Sequence, residues 1–256
     1  MYLILAYLKF LWSATNQHGV HSPFVFNLVT KCLYDKTKYS AYKDIAAYRN
    51  HLLQNHTTLE IKDYGAGSRR FNSNKRKISD IAKYAGSSLH KAKLLFRIVN
   101  YLQPQQCLEL GTSLGIATYA LSKGNPNTKV ISIEGCPNSF TCTQNALKEQ
   151  QAKNIVLKLG TFKEVIPKME QKLLDLVFMD GHHSKSATLE HFEALLPLAH
   201  NDTLFIIDDI YWSKEMTEAW HAIKAHKSVT VTIDCFFIGL VFFRKEQAKE
   251  HFKIRL

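Results

Sequence analysis

From residue 90 onward the apolar positions follow two alternating periods. In KAKLLFRIVNYLQP, Leu94, Leu95, Ile98, Val99 and Leu102 recur at three- and four-residue spacing, which predicts a helix stopped by Pro104. Short apolar runs then alternate with helical stretches. CLEL at 107–110, KVISIE at 129–134, NIVLKL at 154–159, LLDLVFMD at 173–180 and TLFIIDD at 203–209 predict strands. Helices are predicted over 116–122 and 137–150, over a short piece from 162 to 170 that Pro167 must bend or break, and from Ser184 onward. The last of these would bury Leu189, Phe192, Leu195 and Leu196.

Strands separated by helices require right-handed crossovers and a largely parallel sheet covered on both faces. The end of the chain departs from this. After a helix carrying Met216, Trp220 and Ile223, the runs VTVTID and GLVFFRK stand four residues apart, a gap that forces antiparallel pairing. The fold class predicted is α/β, a doubly wound, mostly parallel seven-stranded sheet closing in a C-terminal antiparallel hairpin. Residues 1–85 are less periodic, with an apolar helical start, a loop-like TNQHGVHSP and a strand-like TTLEIKDYG. They are read as a basic, partly helical cap over the mouth of the sheet, and residues 86–256 as the main domain.

Composition adds limits. The chain has 256 residues, 46 % hydrophobic and 21 % charged, which excludes a disulfide-stapled miniprotein and wholesale disorder. Its five cysteines include no C-x-x-C pair, so neither a disulfide framework nor a zinc knuckle is expected, and a reducing, cytoplasmic setting fits. The opening MYLILAYLKFLW lacks a basic leader and is too short to span a bilayer; it predicts an amphipathic helix packed on the domain in preference to a membrane-surface anchor. The net charge of +11 falls entirely in residues 1–100, which hold 16 Lys and Arg against 5 Asp and Glu. Arg69, Arg70, Lys75, Arg76 and Lys77 crowd SRRFNSNKRK, read as an exposed loop or a clamp for an anionic substrate.

In such sheets ligands bind at the carboxyl ends of the strands. The first clear strand exits into Glu109-Leu110-Gly111-Thr112-Ser113-Leu114-Gly115, a small-residue turn that admits a ligand to the backbone and opens a helix. The second ends in Glu134, 23 residues past Gly111, a distance suited to a carboxylate that accepts hydrogen bonds from both ribose hydroxyls of a nucleoside. Two competing motifs fail. Ser113 and Ile116 stand where a nicotinamide-binding G-x-G-x-x-G wants glycine, and the G-x-S-x-G of a hydrolase elbow would follow several strands, not the first. No G-x-x-x-x-G-K-[ST] occurs, which excludes a P-loop enzyme, and Asp63-Tyr64-Gly65-Ala66-Gly67 is read as a turn because no apolar helix follows it.

The ordered set ELGTSLGIATYALS, VISIEG, FMDGHH, FIIDD and TIDCFFIGLVFFRK resembles a class I S-adenosylmethionine-dependent methyltransferase. Within that superfamily, Asp180-Gly181-His182-His183 and Asp208-Asp209 are similar to the metal-dependent small-molecule O-methyltransferases of the catechol, caffeoyl-CoA and macrocin types. The resemblance implies that Glu109, Gly111, Thr112, Ser113 and Gly115 line the methionine portion of the cofactor. It places Glu134 at the ribose, Gly160 and Thr161 near the adenine, and Asp180 at the cofactor and the reacting groups. It further implies a divalent cation, Mg²⁺ by its oxygen ligands, on Asp180, Asp208 and Asp209, since three neighbouring carboxylates repel unless a cation neutralises them. His182 or His183 would take the acceptor proton. The partners this implies are a small hydroxylated acceptor and a second copy of the chain, with no transmembrane segment. RNA is the alternative acceptor on the strength of the basic N-terminal region, and a non-catalytic nucleotide-binding scaffold is the alternative from another class.

Overall fold

The computed structural model describes residues 2–64, 73–170 and 172–256. Three helices open the chain: α1 (Tyr2–Ser13), α2 (Pro23–Leu28) and α3 (Ala41–Gln54). The short strands β1 (Thr58–Glu60) and β2 (Lys75–Lys77) follow, then α4 (Ile78–Tyr84) and α5 (Leu89–Leu102). The alternating part comprises β3 (Gln106–Leu110), α6 (Ile116–Gly124), β4 (Lys129–Glu134), α7 (Pro137–Glu149), β5 (Ile155–Leu159) and α8 (Phe162–Val165). It continues through β6 (Leu174–Met179), α9 (Lys185–Leu195), β7 (Ala199–Asp208) and α10 (Lys214–Ala225), and ends in β8 (Val231–Asp234), β9 (Ile238–Phe242) and β10 (Glu250–Lys253).

Local chemistry sets these boundaries. Ser88 caps α5 by accepting from the Lys91 amide at 3.2 Å, and the helix ends at Gln103 in the left-handed region, just ahead of Pro104. Pro137 occupies the first turn of α7, where a missing N–H costs nothing. Pro167 ends α8 as its position predicted, and a single 3₁₀ turn, Ile166–Lys168, takes over.

The chain divides into two compact units, one of Asp35–Met169 and the other of Met1–Tyr34 with Glu170–Leu256. In the first, β3, β4 and β5 run parallel in that order, with Leu108 opposite Ile131 and Ile131 opposite Val156. Helices α3, α4, α5 and α6 build its core from Ile45, Tyr48, Leu52, Ile81, Phe96 and Tyr119, all buried. The basic run was expected to be a loop, yet its residues 75–77 form β2, paired antiparallel to β1 with Leu59 opposite Arg76. Arg69 and Arg70, like Gly65, Ala66 and Gly67 of the candidate turn, lie outside the described residues.

In the second unit the strands are ordered β10, β8, β9, β7, β6. Strands β6 and β7 are parallel; β9 runs antiparallel to both β7 and β8, which is the closing hairpin that the spacing required. Val177, Phe178, Phe205 and Ile206 are fully buried, as continuous apolar strands covered on two faces should be. An additional strand, β10, pairs parallel to β8 and extends the expected sheet by one edge. The expected division at 85/86 coincides with neither unit boundary, because residues 1–34 and 35–85 pack in different units. Helix α1 stacks Tyr7 and Phe10 on Phe236 of the β8–β9 turn, whereas Tyr48 and Leu52 of α3 enter the core of the other unit.

Candidate active site

In the unit of Asp35–Met169 the turn after β3 is built on left-handed backbone. Gly111, Ser113 and Gly115 have φ of 101°, 49° and 72°. Glycine adopts such values at no steric cost, while Ser113 holds one against its side chain. A Cβ on Gly115 would lie 2.6 Å from Thr143 Cγ2 and 3.2 Å from the Tyr48 hydroxyl, so the position admits no side chain. Tyr48 of α3 donates to the Leu114 carbonyl at 2.8 Å and Thr143 of α7 to the Ser113 carbonyl at 2.7 Å, which hold the turn from two sides.

Glu134, at the carboxyl end of β4, joins this turn to the next one. Its Oε2 accepts the Ser113 amide at 2.7 Å and its Oε1 the Cys136 amide at 2.8 Å. The Gly135 amide is a third donor to this carboxylate, which has about four acceptor positions, so one remains for a ligand hydroxyl. Burial lifts the Glu134 carboxyl above its usual range and the Asp63 carboxylate adds to the lift, while the amides of Cys136, Ser113 and Gly135 oppose it. Glu109 lies deeper. It is fully buried and accepts from Thr118 Oγ1 and Ser132 Oγ, each at 2.5 Å, and Thr112 closes the cluster on Ser132 at 2.6 Å. Glu109 and Thr112 thus support the turn from within.

Gly160 follows β5 at φ 144° and donates its amide to the Glu134 carbonyl at 2.9 Å, which brings the third strand end to the same carboxyl edge. Thr161 caps α8 in a reciprocal pair with Glu164, so its hydroxyl is already engaged at 2.8 Å.

The other unit concentrates strained backbone at the exits of β6, β7 and β8. His182, His183, Asp209 and Phe236 have φ of 66°, 39°, 51° and 70°, a left-handed conformation that costs non-glycine residues about 1 kcal/mol or more each. The two adjacent histidines diverge. His183 Nε2 lies 3.5 Å from Asp180 Oδ1 and its ring 5.9 Å from that of Trp212, whereas the His182 ring packs edge-on against buried His191 of α9 at 5.4 Å. Asp208 is 1 % exposed, and the Asp209 amide donates to the Phe237 carbonyl at 2.8 Å.

The cation expected on Asp180, Asp208 and Asp209 does not fit this arrangement. Among the described residues no group of three or more His, Cys, Asp and Glu side chains is placed to hold a metal ion. Asp180 faces His183, and Asp208 is buried at the end of β7. Sequence reasoning also missed residues that the geometry makes important. Tyr48, Thr118, Ser132 and Thr143 carry the β3 turn, and only their polar type at otherwise apolar positions could have marked them.

Residues 108–210 match a family described as a methyltransferase domain. Among curated proteins no sequence matches the chain. Several solved structures share the fold. A putative O-methyltransferase from Klebsiella pneumoniae is 12 % identical, with 82 % of this chain and 92 % of that one covered and a TM-score of 0.56. An O-methyltransferase from Bacillus cereus, solved in complex with SAH, is 16 % identical, with 83 % and 98 % covered and a TM-score of 0.55. TomG from Streptomyces achromogenes, an O-methyltransferase of tomaymycin synthesis in complex with SAM, is 14 % identical, with 81 % and 91 % covered and a TM-score of 0.57. The parallel strands and the antiparallel hairpin are thus the Rossmann-like fold these structures share, and residues 108–210 are similar to the methyltransferase-domain family.

Proposed function

We propose that the protein transfers a methyl group from S-adenosylmethionine to a hydroxyl oxygen of a small acceptor. The observation that carries this is the Glu134 carboxylate, fixed by the Ser113, Cys136 and Gly135 amides with an acceptor position left for a ribose hydroxyl. The O-methyltransferase neighbours, two of them solved with SAM or SAH, support the cofactor and the acceptor atom. When bound, S-adenosylmethionine supplies a methyl carbon made electrophilic by a sulfonium sulfur.

The chain's own residues do the rest. Gly111 and Gly115 let the methionine portion approach the backbone, and Glu109 and Thr112 keep the turn in place beneath it. Gly160 and Thr161 border the adenine. His183 takes the acceptor hydroxyl proton at Nδ1 while its Nε2 faces Asp180, whose carboxylate orients the ring. His182 is a packing residue in this scheme, its ring held against His191. Alignment of two reactants supplies most of the acceleration in such a transfer, and one positioned base adds about 10²–10⁴. No step is routed through Mg²⁺, because the three aspartates do not form a ligand set.

The test is calorimetric titration of the protein with S-adenosylhomocysteine beside the Glu134→Ala variant. Micromolar binding that the variant loses supports the proposal; absence of binding to the unaltered protein removes it. RNA as acceptor rests on the excess of positive charge in residues 1–100 and predicts a steep loss of tRNA binding between about 50 and 200 mM salt. Binding that is flat across that range leaves the small acceptor.

A further inference from the structure

Helix α1 is apolar on the side turned away from the protein. Leu3, Ile4, Leu5, Leu8 and Trp12 are 44 %, 66 %, 51 %, 56 % and 93 % exposed, whereas Phe10 on the inner side is 3 % exposed. At 100° per residue Ile4, Leu5, Leu8 and Trp12 cover an arc of about 100° on the outer side, with Leu3 toward the Phe10 side. The inner side is firmly seated. Tyr7 and Phe10 stack on Phe236 at 4.8 and 5.5 Å, and the Tyr2 hydroxyl donates to Thr217 Oγ1 at 2.6 Å.

The charged side chains of the first 34 residues have one sign. Residues 1–34 contain no Asp or Glu, and Lys9 borders the apolar arc. At the Trp12 end, Lys253 donates to Ser13 Oγ at 2.9 Å, which sets a second cation beside the helix. On neighbouring α10, Glu218 is paired with Lys185 at 2.8 Å. Among the described residues no helix is long and apolar enough to cross a membrane.

We infer that α1 lies in the headgroup region of an anionic lipid surface, its apolar arc in the acyl boundary and Lys9 and Lys253 against the phosphates. A lipid interface accepts apolar and aromatic side chains bordered by lysines that reach from the edge toward water, as α1 and Lys253 beside it offer. Such placement would bring the enzyme to acceptors that partition into membranes, a class of substrate beyond the hydroxylated metabolites proposed above.

The experiment is gradient flotation of the purified full chain with vesicles of phosphatidylglycerol and phosphatidylcholine, and with phosphatidylcholine alone. The unaltered protein is expected to float with the anionic vesicles and to remain below with the neutral ones. Combined Leu5→Ser, Leu8→Ser and Trp12→Ser should lower the floated fraction at least about tenfold. Lys9→Glu, which keeps the apolar arc and so controls for misfolding, should weaken flotation in the same direction. The inference is overturned by an unaltered protein that stays below in both gradients, by equal flotation on neutral vesicles, or by a triple variant that floats as well as its parent. Failure to float joined to a dimer in light scattering, which the triple variant splits, would instead make the face a seam between two copies of this chain.

Discussion

The two units hold their candidate functional residues in different ways. Around β3, β4 and β5 these are backbone amides and carbonyls joined by one carboxylate, with Glu134 bridging Ser113 and Cys136 and accepting from Gly160 through its own carbonyl. At the exits of β6 and β7 of the other unit they are side chains on strained backbone, with His183 facing Asp180 at 3.5 Å and Trp212 nearby. The first construction is stiff, because removing any one bond leaves the others to hold the turn. The second depends on single contacts. Damage to the glycine turn should therefore appear as lost stability and cofactor affinity, and damage at the histidine as lost rate.

The largest effect is expected from His183→Ala. It should lower kcat by about 10²–10⁴ and leave the dissociation constant for S-adenosylhomocysteine unchanged. A matching loss in His182→Ala, measured in the same methylation assay, would break the distinction between the two rings. Next comes Glu134→Ala, which removes charge-assisted bonds worth about 1.5–3 kcal/mol each and should weaken cofactor binding roughly tenfold to a hundredfold. Calorimetry checks it, and an unchanged constant would take Glu134 out of the nucleoside site.

Gly115→Ala tests the stiffness of the turn directly. A methyl group 2.6 Å from Thr143 Cγ2 at φ 72° should destabilise the protein by about 2 kcal/mol or more and lower its Tm. Thermal unfolding of Gly115→Ala beside Gly115→Ala/Thr143→Ser separates the clash from the backbone strain, since only the clash is relieved in the double variant.

A smaller effect is expected with pH. The ribose needs the ionised carboxylate, and because burial raises the Glu134 pKa, protonation begins at a higher pH than for a free glutamate. S-adenosylhomocysteine affinity should thus fall as the pH is lowered through that raised value and recover above it; Glu134→Gln should flatten the profile in calorimetry. The smallest effect is that of a chelator. EDTA should leave the methylation rate unchanged, and a rate that collapses and returns with Mg²⁺ would mean that Asp180, Asp208 and Asp209 assemble only when the cation arrives.

Much of this was legible in the chain. The alternation of short apolar runs with helical stretches located every strand from β3 to β9, since buried parallel strands leave continuous apolar signatures and crossover helices leave amphipathic ones. Gly111, Gly115 and Glu134 stood out because a turn that opens a helix and a carboxylate at the next strand end depend on positions close in sequence. Less was legible before residue 86. Helix α3 carries Ile45, Tyr48 and Leu52 at helical spacing, but flanking polar residues masked a signal that only its buried face makes plain. Strand β2 was hidden because KRK has little strand propensity and is held by its partner β1. Strand β10 is an edge strand of four residues with only Phe252 buried.

By itself the sequence determined the fold class, the strands along the chain from β3 to β9 and the glycine turn after β3, because each follows from local periodicity, turn chemistry and short spacing. The tertiary structure alone decided which histidine faces a carboxylate, since adjacent side chains on left-handed backbone diverge in ways no spacing encodes. It also decided that the three aspartates form no ligand set and that α1 keeps its apolar arc in the open. Both depend on burial, which is set by what other segments cover.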